Sequence, residues 1–153
     1  MADFSVRIYY EDTDCGGIVY HTNYIKYCER ARSEIFFSAN AMPNTQRIGL
    51  VVRKLNAEFL DSAKLGDLLV VKTKILKLGQ SSLTLLQEIF NSTKIDCHEN
   101  STNFLAMTAL AKSLQTNSTK IFQCEVKLAC IDIERKKIVK IPSEILAILQ
   151  TKF

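Results

Sequence analysis

Apolar and polar positions along the chain change their period several times, and each change marks an element. Over residues 4–10, Phe4, Val6, Ile8 and Tyr10 alternate with Ser5, Arg7 and Tyr9, which predicts a half-buried strand. From Tyr20 the spacing turns helical. Tyr20, Tyr24, Cys28, Ala31 and Ile35 share one stripe, broadened by Tyr27 and Phe36. The helix is expected to start at His21 or Thr22 and to keep Lys26, Glu29, Arg30, Arg32 and Glu34 on its solvent side. Arg30 and Arg32 then read as surface charges pairing with glutamates, Arg30 and Glu34 being four apart. So wide a stripe implies a helix packed deeply on a large apolar surface. Residues 38–49, SANAMPNTQRIG, are turn formers and read as a connector.

Three strand-like runs follow. Residues 51–59 place Val51, Leu55, Ala57 and Phe59 opposite Lys54, Asn56 and Glu58. Residues 68–76 set Leu69, Val71, Thr73 and Ile75 against Lys72 and Lys74, and 83–90 is more uniformly apolar, as in a mid-sheet strand. Their joins, DSAKLGD at 61–67 and KLGQSS at 77–82, each carry a glycine suited to a tight turn. Phe122, Cys124, Val126, Leu128 and Cys130 alternate with Gln123, Glu125 and Lys127. A charged turn at 134–137 leads to Ile138-Val139-Lys140-Ile141, and a short closing helix is expected over 143–150.

The stretch 91–120 breaks this rhythm. Asn-Ser-Thr-Lys-Ile occurs at 91–95 and again at 117–121. Removing one copy and everything between leaves two strands joined by a short turn, so the stretch (about 91–118) reads as an elaborated hairpin loop. A helix over 104–114, capped by Ser101, Thr102 or Asn103, fits a connection of this length. Asn91, Asn100 and Asn117 each open an Asn-x-Thr glycosylation pattern, which without a secretory signal is not expected to be used. The element order, one long helix against four or five antiparallel strands, predicts an α+β domain over 1–153. An exposed edge strand in such a sheet invites pairing with a second copy.

At 153 residues the chain can bury a substantial core, and 47% apolar with 24% charged residues fits a globular protein. The net charge of +4 is spread along the chain; it suits a polyanionic ligand and falls short of a nucleic-acid footprint. No basic start followed by an apolar run is present, and no apolar run is long enough to span a bilayer, so a cytoplasmic protein without membrane insertion is expected. The five cysteines contain no Cys-x-x-Cys pair and read as reduced thiols, mostly core fillers.

The candidate chemistry lies in Glu11-Asp12-Thr13-Asp14-Cys15-Gly16-Gly17, an acidic turn aimed at the helix start. The first amides of a helix carry partial positive charge and receive an oxyanion, while a carboxylate beside them attacks a carbonyl or activates water. The expectation is one carboxylate held largely out of water against that helix end. Asp12 reads as a residue bonding backbone in the turn. Tyr20 and Tyr24 read as core and pocket wall rather than acids. Cys15 with His21 is an alternative nucleophile–base pair, and His98, among Asp96, Cys97 and Glu99, lacks metal-ligand spacing.

The run Tyr10-Glu11-Asp12-Thr13-Asp14-Cys15-Gly16-Gly17-Ile18-Val19-Tyr20-His21-Thr22-Asn23-Tyr24, then Glu29-Arg30-Ala31-Arg32, resembles the signature of hotdog-fold acyl-CoA thioesterases. It is most similar to the 4-hydroxybenzoyl-CoA thioesterase type, particularly the Tol–Pal-associated (YbgC-type) branch. Ala63-Lys64-Leu65-Gly66-Asp67 resembles the family's turn between sheet strands. The resemblance implies a hotdog fold, an antiparallel sheet wrapped around one long central helix. It implies hydrolysis of acyl-CoA to free acid and CoA, with no metal and no cofactor beyond the substrate's own coenzyme A. It also implies a homodimer or homotetramer with sites at the subunit interface. The catalytic carboxylate then falls on Asp14 and the carbonyl-polarising amide on His21, with Gly17, Tyr20 and Tyr24 around the substrate. Some relatives carry arginines for CoA phosphates where this chain has Gly79-Gln80, so Lys74, Lys77 or Arg53 become candidates. A non-cleaving thioester-binding module, a dehydratase and an envelope-associated scaffold are the rival readings.

Overall fold

The structure is a computed structural model that describes residues 2–45, 47–92 and 118–152. In chain order it forms β1 (Ala2–Arg7), a single 3-10 turn (Tyr10–Asp12), α1 (His21–Phe37), β2 (Ile48–Phe59), β3 (Leu68–Leu78), β4 (Ser82–Asn91), β5 (Thr119–Asp132), β6 (Lys137–Ile138) and α2 (Ser143–Lys152). The strands make one antiparallel sheet in the order β1-β3-β4-β5-β2, with β6 paired to the end of β5. The sheet's inner face wraps α1. This is the hotdog arrangement, with α2 packed beside the central helix.

Why the helix sits there follows from its stripe. Tyr24, Tyr27, Cys28, Ala31, Ile35 and Phe36 are buried against Leu69, Val71, Leu83, Leu85, Ile89, Phe122, Cys124 and Val126. The mid-sheet strand β4 alternates without a break, every second side chain from Leu83 to Asn91 facing inward. Tyr10 departs from the expected strand face: β1 ends at Arg7, and Tyr10 lies 82% exposed in the 3-10 turn. Tyr20 departs as well. It is the helix N-cap rather than a core residue, and its ring is half exposed.

The faces of β2 are shifted relative to the sequence pattern. A bulge between Val52 and Lys54 inserts Arg53 without a partner on β5. One extra residue reverses the alternation. Val52, opposite Leu128, therefore shares the inner face with Leu55, Ala57 and Phe59, and Val51 faces out with Ala129.

Arg32 is likewise not a surface charge. Its Nη1 donates to Gln87 Oε1 at 2.6 Å, while Gln87 Nε2 donates to the Cys28 carbonyl at 2.9 Å and to Thr73 Oγ1 at 3.0 Å. Burial pulls the guanidinium pKa below its ordinary value. Gln87 thus satisfies a half-buried cation from inside the sheet. Gln87→Leu is expected to cost about 1.5–3 kcal/mol, because a charge-assisted bond is lost and a buried donor orphaned. Urea unfolding midpoints of the two proteins measure it.

Asn91 and Thr119 face each other across the antiparallel β4–β5 ladder, and the stretch between them, read above as an elaborated hairpin loop, lies outside the described residues. The expected helix over 104–114 and the residues around His98 lie outside the described residues. Among those described, no helix is long and apolar enough to cross a membrane.

Candidate active site

The acidic turn is built by backbone bonds before any side chain acts. Thr13 and Val19 form an antiparallel bridge, Asp14 N–H donates to the Ile18 carbonyl at 2.9 Å, and Gly17 N–H donates to the Asp14 carbonyl at 3.0 Å. Gly17 has φ +74°, a conformation that costs a side-chain-bearing residue about 1–2 kcal/mol. At Gly16, a Cβ would come within 3.1 Å of Asp14 Oδ1. The two glycines therefore let the loop close directly on the Asp14 carboxylate.

Within one chain, Asp14 is exposed. Its Oδ1 accepts the Gly16 N–H at 2.8 Å, the turn-residue bond that an aspartate makes in a tight loop. This corrects the expectation of a carboxylate withdrawn from water: Asp14, Cys15, Gly16 and Gly17 are all exposed. The withdrawn acid is Asp12. Its Oδ2 accepts the Tyr9 N–H at 2.9 Å, the backbone role expected of it.

The helix start is tied to the loop and to the 61–67 turn. Tyr20 N–H donates to the Asp12 carbonyl at 2.9 Å and Val19 N–H to the Ala63 carbonyl at 2.9 Å, while Ile18 bridges Lys64. Tyr24 Oη accepts the Ala63 N–H at 3.0 Å, and burial raises the pKa of its hydroxyl. Tyr24 is thus a neutral brace. The Tyr27 hydroxyl is buried near the Asp12 carboxylate without a hydrogen bond of good geometry, and burial first, then that charge, push its pKa far upward. Among the described residues no side chain caps α1, and its first turn holds no acidic residue. The amides of His21 and Thr22 are therefore free to meet an incoming oxygen.

Beside that helix end lies a cleft of about 330 Å³, walled by Ile18, Val19, His21, Tyr24, Phe59 and Leu60, with Asp61 and Ser62 at its rim. Tyr24 in its wall stacks on Phe122 at 5.4 Å, and Phe59 meets both rings edge-on. The His21 imidazole lies against Tyr20 at 4.4 Å and edge-on to Phe59 at 6.4 Å. Among the described residues no hydrogen bond joins it to the exposed Cys15, so nothing orients a Cys–His pair. The structure thus brings Asp14, Gly17 and His21 into one loop-and-helix unit with Tyr24 in the cleft wall, and leaves Tyr20 outside the cleft. Phe59 was read on the right strand face, but it and Leu60 were missed as wall residues because that role depends on the rings of Tyr24 and Phe122, far away in the chain.

The candidate phosphate contacts scatter. Lys74 pairs with Glu88 at 3.7 Å on the sheet's outer face. Lys77 follows Leu68 by nine residues along β3, about 30 Å from the site end of the sheet. Arg53 sits at the bulge of the free edge.

The thioesterase superfamily model matches residues 16–98, from the glycine turn through α1 and β2–β4. The chain belongs to the thioesterase superfamily. It is 49% identical over 84 residues to "Acyl-CoA thioesterase YbgC" of Helicobacter pylori, covering 55% of this chain and 63% of that protein's length. It is 33% identical over 146 residues to "Acyl-CoA thioester hydrolase YbgC" of Escherichia coli, covering 93% of this chain and 90% of the relative. Among solved structures, a probable thioesterase from Bartonella henselae aligns with a TM-score of 0.67 at 26% identity, over 92% of this chain and 96% of that one. A 4-hydroxybenzoyl-CoA thioesterase mutant bound to 4-hydroxybenzoyl-CoA aligns with a TM-score of 0.73 at 17% identity, over 96% of each chain. That likeness carries the thioesterase fold across very different sequences. The superfamily's match begins within the acidic turn itself.

Proposed function

We propose that this thioesterase-superfamily protein is an acyl-CoA thioester hydrolase acting as a homo-oligomer in the cytoplasm. One observation carries the reading. An acidic loop is anchored to an uncapped helix start beside an apolar cleft of about 330 Å³. A thioester lying there puts its carbonyl oxygen at the His21 and Thr22 amides and its acyl group against Tyr24, Phe59 and Leu60. Asp14 then acts from the loop. As nucleophile it forms an acyl-aspartyl anhydride and expels the CoA thiolate, and water releases the acid. As general base it takes a proton from water that attacks the same carbon. Either route consumes one water and gives one carboxylic acid and one thiol.

The free edge of β2 supports the oligomer. Twelve residues long, β2 pairs on one side with β5, and Val51, Val52 and Phe59 are 38%, 50% and 49% exposed along it. An apolar edge of that length is a template for a second copy. A copy seated there covers the cleft's β2 wall and withdraws the site from water, the step one chain leaves incomplete.

Mixing the protein with acetyl-, palmitoyl- and benzoyl-CoA and following free thiol tests the reading. Thiol release matched by free acid is the expected result. Binding of acyl-CoA without thiol release identifies a non-cleaving module instead.

A further inference from the structure

We infer that Asn23 is a positioning residue that sets the Asp14 loop against the first turn of α1. The inference rests on Asp14 being the catalytic carboxylate. Asn23 occupies an inward position, three before Tyr27's turn neighbour Lys26 and on the same face as Tyr24 and Tyr27, where an apolar residue would pack more simply. It is buried, and asparagine is a poor helix former. Such a residue persists where its amide has a specific partner.

That partner is the backbone of the acidic turn. Asn23 Nδ2 donates to the Asp12 carbonyl at 2.9 Å, and the same oxygen accepts the Tyr20 N–H at 2.9 Å. The Tyr20 bond and the Thr13–Val19 bridge are ties that backbone of any sequence can make, and none of them comes from within the helix beyond its N-cap. The Asn23 side chain adds a point from the rigid frame of the helix, two residues before Asp14 in the loop. Bonds within the loop, such as Asp14 N–H to the Ile18 carbonyl, hold its shape but not its tilt toward the helix. Tilt decides whether the carboxylate meets a carbon whose oxygen already rests on the helix amides. Asn23 does not line the cleft, so the acyl group binds without touching it. Its loss should therefore lower the rate of the chemical step and leave substrate binding largely intact.

Two full-length variants test this, with the acyl-CoA that the wild type cleaves fastest. Asn23→Leu keeps the volume and removes the donor. Its kcat is expected to fall about 10- to 100-fold, with KM, oligomeric state and melting temperature close to wild type. Asn23→Asp sets a carboxylate against the Asp12 carbonyl when ionised and a donating O–H when protonated. Its kcat, divided by that of the wild type at each pH, is expected to recover as pH falls. A folded Asn23→Leu with near-normal kcat overturns the inference, as does an Asn23→Asp ratio flat with pH. So does failure of both variants to fold, which would make Asn23 a structural residue. Asp14→Asn, assayed alongside, separates the two claims. If it stays active the catalytic reading itself fails, and if it is dead while Asn23→Leu is normal only the positioning role fails.

Discussion

Asp14→Asn is expected to lower kcat by about 10²- to 10⁴-fold, the range of a general acid–base group. The protein should stay folded. Asp14 is exposed, and its one side-chain bond among the described residues, accepted by Oδ1 from the Gly16 N–H, can be accepted by an asparagine oxygen as well. Surface substitutions that keep such contacts change stability by roughly 0.5 kcal/mol or less. Loss of rate without loss of fold is what separates a reacting carboxylate from a turn residue. Steady-state thiol release, with a thermal melt of the same preparation, reads both. A variant that turns over at the wild-type rate would leave Asp14 with its turn role alone.

Val52→Lys is expected to split the proposed oligomer and to take the proposed activity with it. Val52 is half exposed on the inner face of β2, so a lysine costs a single chain little. Pressed against a second copy, the same lysine must be desolvated beside its symmetry mate and the neighbouring Arg53 and Lys54. Edge lysines are a natural device against strand pairing. Sedimentation velocity should show single-chain mass, and kcat/KM should fall by about 10²-fold or more because the reacting groups lose their fixed surroundings. Asp14 stands in water within one chain, so a fully active monomer would contradict the need for a second copy.

Much of this architecture could be read from the chain. The 3.6-residue stripe from Tyr24 to Phe36 placed α1 and its buried face, because a helix must turn its apolar side to the core. Alternation placed β3 and β5 with their inner faces, and a more uniformly apolar run marked β4 as a mid-sheet strand. The acidic turn with two glycines ahead of the helix marked the candidate site, and the family match begins within it.

The misses share one cause. A bulge at Arg53 inverted the start of β2, and its position depends on pairing with β5 rather than on local pattern. Arg32 looked like solvent charge until Gln87, fifty-five residues away, supplied its acceptor. Asn23 and Gln87 did leave a signal, each a polar residue at an inward position among apolar ones.

The order of residues by itself determined which segments bury a face, where the chain must turn tightly, and which carboxylates stand near a helix start, since these follow from periodicity and backbone sterics. Only the tertiary structure decided that Asp12 is the buried acid and Asp14 the exposed one. It also decided that Phe59 walls a cleft with Tyr24, and that β2 is, among the described residues, the long edge paired on one side only. Those outcomes depend on hydrogen bonds and contacts between residues far apart in the chain, and no local pattern encodes which distant partner a side chain will meet.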